Sequence, residues 1–172
     1  VNFDAPVGGT AVYQRVLWLE EDDVLPHATV LDLQSGKAYM RNNTTLGETI
    51  GGLTGNAGTY VSTDNPSVQK LTIDTAAATS YTYAGVIGVD LTNGFSTSNI
   101  SLTKTGAGTQ ILTGANTYTG ATVVSGGTLD VTGSVASTVL TVNTGAILKA
   151  DGAALNDAAV LTLNGTGNLT LT

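Results

Sequence analysis

The sequence predicts an all-β fold, a parallel β-helix (β-solenoid) with about 20 residues per coil, on three observations. Apolar residues stand at alternate positions in short runs, each run closed by Gly, Asn, Asp or Ser, which is the pattern of short strands and tight turns. Helix signals are nearly absent. In the C-terminal part the segments Gly127–Val131, Gly145–Ala150 and Gly167–Leu171 repeat one another, with Leu129, Leu148 and Leu169 recurring at intervals of 19 and 21 residues.

Taken in chain order, the strands fall at Val1–Val7, at Val30, Leu31 and Leu33, at Leu71 and Ile73, at Leu129 and Val131, at Leu161 and Leu163, and at Leu169 and Leu171. Each alternates apolar with polar residues, and the abundant Thr between them suits a pleated surface. A coil of about 20 residues cannot bury its own apolar side chains, so it must stack on its neighbours through parallel ladders about 4.8 Å apart. The 172 residues make one solenoid segment of about eight coils and on the order of 40 Å, too short for a multidomain enzyme. A longer similarity is also present: Leu25–Leu33 superposes without gaps on Leu155–Leu163, so residues 25–33 and 155–163 are expected to be equivalent positions of a longer internal repeat.

Composition narrows the function. Hydrophobic residues are 41% of the chain and charged residues 11%, which excludes a disordered chain, because disorder combines low hydrophobicity with high charge. The formal net charge of -7 provides no basis for wrapping a phosphate backbone, so no nucleic-acid partner is expected. With no cysteine there is no thiolate metal site and no Cys nucleophile. Thr, Ser, Asn or Gly interrupts every apolar stretch, so no membrane insertion of this segment is expected, since a spanning helix needs about 20 apolar residues.

Few residues carry candidate chemistry. Glu20, Glu21, Asp22 and Asp23 form an acidic run that offers carboxylate ligands for calcium. Adjacent strand residues alternate faces, however, and no calcium-loop spacing is present, so a solvated turn is the simpler reading and no cofactor is expected. His27 is the only histidine, which rules out a three-histidine metal site, and Asp157 stands at its place in the second copy of the long repeat. Trp18 offers a saccharide-stacking surface, but Leu148 at the equivalent position argues for core or coil-edge packing. Gly85–Asp90 has the glycines of a nucleotide loop without the lysine or the helix that such a loop requires. A lyase or hydrolase on a β-helix needs carboxylates gathered with a cation, whereas Arg15, Lys37, Arg41, Lys70, Lys104 and Lys149 are scattered along the chain.

Residues Leu102–Val131, LTKTGAGTQILTGANTYTGATVVSGGTLDV, closely resemble the autotransporter-associated β-strand repeat, also called the passenger-associated transport repeat. Lys104, Gly106, Gly108, Thr109, Leu112, Gly114, Asn116, Thr117, Tyr118, Gly120, Thr122, Val123, Gly127, Thr128 and Leu129 fall where the motif expects them, and Gln110 stands where the family usually has an apolar residue. The resemblance implies a right-handed parallel β-helix in a long secreted bacterial surface protein, with no catalytic activity. In such proteins the repeat is associated with transport and folding of the passenger, and the stalk displays other domains. On physical grounds Gly106, Gly108, Gly120 and Gly126 suit corners of positive φ. Asn116 suits a corner or an inward ladder, and Tyr118 a packed ring with its hydroxyl outside.

The resulting expectation is a non-catalytic extracellular stalk or fibre segment for display, spacing and self-association. An adhesin or glycan-binding passenger module is the alternative, and a β-helical polysaccharide lyase a third. Both ends read as strand, so pairing with flanking coils or end to end with another chain is expected. Leu129→Asp should cost several kcal/mol, and Thr122→Ala, on a presumed outer row, should cost little.

Overall fold

The structure is a computed structural model that describes residues 16–41, 47–94, 96 and 98–172. The strand expected at Val1–Val7 and the basic Arg15 lie outside the described residues. The strands are β1 (Val16–Leu19), β2 (Val30–Leu33), β3 (Lys37–Met40), β4 (Glu48–Ile50), β5 (Gly52–Gly55), β6 (Tyr60–Ser62), β7 (Gln69–Asp74), β8 (Ser80–Tyr83) and β9 (Val86–Ile87). They continue as β10 (Ile100–Thr105), β11 (Thr109–Leu112), β12 (Ala115–Asn116), β13 (Thr122–Val124), β14 (Thr128–Val131), β15 (Ser134–Val135), β16 (Val139–Val142), β17 (Ile147–Ala150), β18 (Val160–Leu163) and β19 (Asn168–Leu171). Short 3-10 turns at Leu91–Asn93 and Gly152–Ala154 are the helical elements among the described residues.

Strands pair with those one coil above and below, and every pairing is parallel, giving a β-solenoid of about seven turns with about 21 residues per turn. Sheet I has the order β1-β3-β6-β9, sheet II β18-β16-β13-β10-β7-β4, and sheet III β19-β17-β14-β11-β8-β5-β2; β12 and β15 form a two-stranded strip. Because side chains alternate along a strand, each sheet sends one set of columns inward. In sheet III, Leu129 lies opposite Leu148 and Leu148 opposite Leu169, so the period seen in the sequence is the coil itself. In sheet II, Ile73, Lys104, Val124, Val142 and Leu163 form one inward column, and Leu71, Leu102, Thr122, Leu140 and Leu161 the other. Leu129, Leu148, Leu102, Ile73 and Val142 are all essentially inaccessible and belong to one continuous core.

Residues 25–33 and 155–163 share local conformation. The amide of Thr29 donates to the carbonyl of Pro26, that of Ala159 to Asn156, and a four-residue strand follows each turn. The two strands occupy different sheets, β2 in sheet III and β18 in sheet II, because a turn followed by alternating apolar residues serves any face of the coil. At the far edge of the stack Leu163 and Leu171 are 48% and 60% exposed, although they continue columns buried elsewhere.

Candidate functional site

The acidic run is used in backbone hydrogen bonding. Glu20 and Glu21 are exposed in the turn after β1. Asp22 accepts from the amide of Gly47 through Oδ1 at 3.0 Å, and Asp23 accepts from Thr49 at 3.2 Å while its own amide donates to the Gly47 carbonyl at 3.1 Å. These bonds extend the ladder of β4 on the side where, among the described residues, no strand pairs with it. Glu48 of β4 reciprocates by accepting from the amides of Val24 and Leu25 at 3.1 and 2.9 Å. Burial pushes the Glu48 carboxyl up, and the two amides oppose that shift. The hydrogen bond from His27, exposed and 3.1 Å away, holds the Asp23 carboxyl low. Among the described residues no group of three or more His, Asp or Glu side chains converges on a point where a metal ion would sit.

Within residues 102–131 the glycines act in two ways. Gly106 and Gly127 adopt φ of +68° and +57°, in the left-handed region. Gly108, Gly114 and Gly120 do not; their need is space, since a Cβ on Gly114 would lie 1.9 Å from the Gly85 carbonyl oxygen of the preceding coil. The positive φ expected at Gly108, Gly120 and Gly126 is therefore corrected to close packing between coils.

Five side chains of this stretch that carry polar groups face inward, Lys104, Gln110, Asn116, Tyr118 and Thr122, and those of Asn116 and Gln110 bond backbone groups of neighbouring coils. Asn116 accepts from the amide of Ile87 at 3.0 Å and donates to the carbonyls of Gly114 and Ser134 at 2.9 and 3.1 Å, tying three coils together. The amide group of Gln110 reaches Leu53, accepting from its N–H at 3.1 Å and donating to its carbonyl at 2.9 Å, and also donates to the Tyr81 carbonyl at 3.2 Å. Tyr118 is fully buried and its hydroxyl lies 2.8 Å from that of Thr122, also buried. This overturns both the outward hydroxyl expected for Tyr118 and the outer row expected for Thr122. Thr122→Ala is now expected to cost about 1–3 kcal/mol, because it orphans a buried hydroxyl, with Thr122→Ser closer to the parent in urea denaturation midpoint.

Lys104 occupies a core column, and its ammonium donates to the carbonyls of Thr105, Gly106 and Gly126, the last belonging to the next coil. Burial pushes its pKa down from 10.5 to about 8, partly opposed by the charge of Asp74. Between these values the unfolded chain binds more protons than the folded one, so stability rises with pH across that window. Burial also raises the tyrosines Tyr83 and Tyr118 above the ordinary value of 10.0, so above that pH the unfolded chain loses protons first and stability falls. The expected profile is a denaturation midpoint that climbs from about pH 8 and turns down above about pH 10. Lys104→Met should abolish the climb and keep the decline; identical profiles for the two chains would show that Lys104 does not set it.

A cluster of polar and aromatic side chains lies on sheet I. Leu17, Ala38, Val61 and Ile87 pack on the core, which leaves Trp18, Tyr39 and Ser62 as the alternate column. Trp18 sits at the coil edge, half-buried, its ring 4.9 Å from that of Tyr39, and the Arg41 guanidinium lies 4.0 Å over it. Arg41 is gripped by Asp64, Nε to Oδ1 at 2.9 Å and Nη2 to Oδ2 at 2.5 Å. Beside this pair opens a groove of about 610 Å³ lined by Glu20, Arg41, Asp64, Asn65, Pro66 and Ser67.

The other end of the same column is covered. Asp90, wholly buried, accepts from the Tyr39 hydroxyl at 2.5 Å, pairs with the Lys37 ammonium at 2.7 Å and caps the Leu91–Asn93 turn through the amide of Thr92. Burial raises the Asp90 carboxyl, but Lys37, Thr92 and Tyr39 outweigh it and hold the group below its ordinary value. The glycine-rich stretch Gly85–Asp90 is thus β9 and the start of this cover.

Sequence reasoning missed Lys37, Asp90 and the Arg41–Asp64 pair as partners, although one signal was there. Glu20, Arg41 and Asp64 recur at intervals of 21 and 23 residues, the period of the coil. That spacing brings three scattered charges together at one corner.

Residues 102–131 match the family model described as the passenger-associated-transport-repeat. No curated protein and no solved structure matches the chain. The stretch that carries this passenger-associated transport repeat is one length of a continuous β-solenoid.

Proposed function

We propose that the chain is a segment of a secreted or surface-exposed passenger protein of the autotransporter type, serving as a non-catalytic stalk that spaces and displays neighbouring domains. The observation that carries this reading is the continuity of the transport repeat with its surroundings: Leu102 pairs with Leu71 on one side and Thr122 with Leu140 on the other, without a break in the ladder. Such a stack transmits load along its axis through parallel hydrogen bonds and core columns. We extend the proposal to end-to-end association between copies of the stack, since an uncovered strand edge can pair with another chain.

Fusing the chain between an N-terminal epitope and an autotransporter barrel in a Gram-negative host tests the stalk. The epitope is expected to be reached by antibody on intact cells, and less so when β14 is disrupted by Leu129→Asp. An epitope that stays inside would overturn the reading. Electron micrographs of the isolated chain test the association: filaments with an axial repeat of about 4.8 Å support it, and single short rods at all concentrations refute it.

A further inference from the structure

We infer that the groove beside Arg41 is a binding site for a neutral saccharide chain, an inference independent of the stalk reading. Its polar groups come from three successive coils: Glu20 follows β1, Arg41 follows β3, and Asp64 to Ser67 follow β6. They are therefore stepped along the axis by about 4.8 Å per coil, and a ladder of that kind fits an extended polymer laid along the solenoid better than a compact metabolite.

The groove is pre-organised. Two of the five N–H donors of Arg41 are fixed on Asp64, and its plane is stacked on Trp18, so little side-chain freedom remains to be lost when a ligand binds. The wall that follows Asp64 is a tight turn in which the Ser67 amide donates to Asn65 Oδ1 at 2.9 Å, and the Asn99 side chain donates to the Pro66 carbonyl at 2.8 Å. At about 610 Å³ the volume lies within the range of ligand sites.

The lining selects the chemistry. Glu20 and Asp64 accept hydrogen bonds from hydroxyl groups, Arg41 donates to hydroxyl and ring oxygens, and Asn65 and Ser67 add groups that can donate or accept. Pro66 is the one apolar residue of the lining, which offers no anchor for a hydrophobic peptide. A polyanion would meet two carboxylates and a chain of net charge -7. A cationic chain would meet the Arg41 guanidinium, which the middle one of the three coils contributes. A ligand rich in hydroxyls and without charge satisfies all of these groups.

Trp18 is the sole tryptophan of the chain, and its fluorescence reports on the groove through Arg41, which is stacked on it. The test titrates the full chain with neutral hexasaccharides (β-1,4- and β-1,3-glucans, α-1,4-glucan, chitooligosaccharide and mannan), with polygalacturonate and oligolysine as charged probes. One or more neutral chains is expected to give a saturable change with a Kd of about 1 mM or tighter. Glu20→Gln and Asp64→Asn are expected to weaken that binding by about tenfold or more, with unchanged far-ultraviolet circular dichroism. Failure of every neutral chain to saturate overturns the inference. So does binding that ignores both substitutions, or tighter binding of either charged probe.

Discussion

Leu129→Asp is expected to destroy the cooperative unfolding transition of the chain, while Asp130→Ala, one residue along, leaves it nearly unchanged. Leu129 is fully shielded between Gln110 of the coil before and Leu148 of the coil after, in the middle of the sheet III column. A carboxylate there loses the transfer free energy of the leucine and is desolvated by Gln110 and Leu148 on the two neighbouring rungs. Together these cost on the order of 5 kcal/mol or more, comparable with the whole stability of a small domain. The charge cannot relax outward, because a one-residue slip would turn every side chain of β14 to the wrong face. Asp130 points the other way, and its pair with Lys149 at 2.9 Å is partly exposed, so its loss costs about 1 kcal/mol or less. Urea denaturation of the two variants, followed by circular dichroism, separates them; similar midpoints would refute the assignment of inward and outward columns.

What the sequence made legible is bounded by the same alternation. Leu129, Leu148 and Leu169 show the coil because the coils between them are nearly equal in length, 19 and 21 residues, and the alternating runs named from the sequence among the described residues fall within β2, β7, β14, β18 and β19. Earlier in the chain the equivalent partners Leu53, Tyr81 and Gln110 are separated by 28 and 29 residues, the first interval holding the turn at Asp64–Ser67 and the second the corner with Asp90 and the Leu91–Asn93 turn, so the period fades. Thr122 reads as an outward threonine because its row is set by what it must pair with, the Tyr118 hydroxyl, and not by its polarity. The groove was hidden for a related reason: Glu20, Arg41 and Asp64 look scattered until the coil length is known, and coil length was least regular in that half. The acidic run was conspicuous, yet Asp22 and Asp23 face a strand edge that only the fold supplies.

Gln110 provides the sharpest test of whether an inward polar residue stabilises this fold or merely survives in it. The position departs from the apolar residue usual in the repeat, and a leucine there would extend the column of Leu129 and Leu148. On burial alone Gln110→Leu should be stabilising. The structure predicts the opposite. Strands β5 and β8 pair only at Gly55 and Tyr83, so the N–H and carbonyl of Leu53 have no strand partner on that side, and the Gln110 amide stands in for a peptide group between them. A leucine leaves both groups buried and unpaired, at about 1–3 kcal/mol each, more than the added apolar area returns. Gln110→Glu should be worse still, since a carboxylate accepts from Leu53 N–H but cannot donate to the carbonyls of Leu53 and Tyr81. Hydrogen exchange locates the effect: the Leu53 amide should lose its protection in Gln110→Leu while amides in β16 and β17 keep theirs, because coupling along a solenoid decays from coil to coil. A Gln110→Leu chain as stable as the parent, with Leu53 still protected, would mean that β5 and β8 can close the ladder themselves and that the side-chain amide is dispensable.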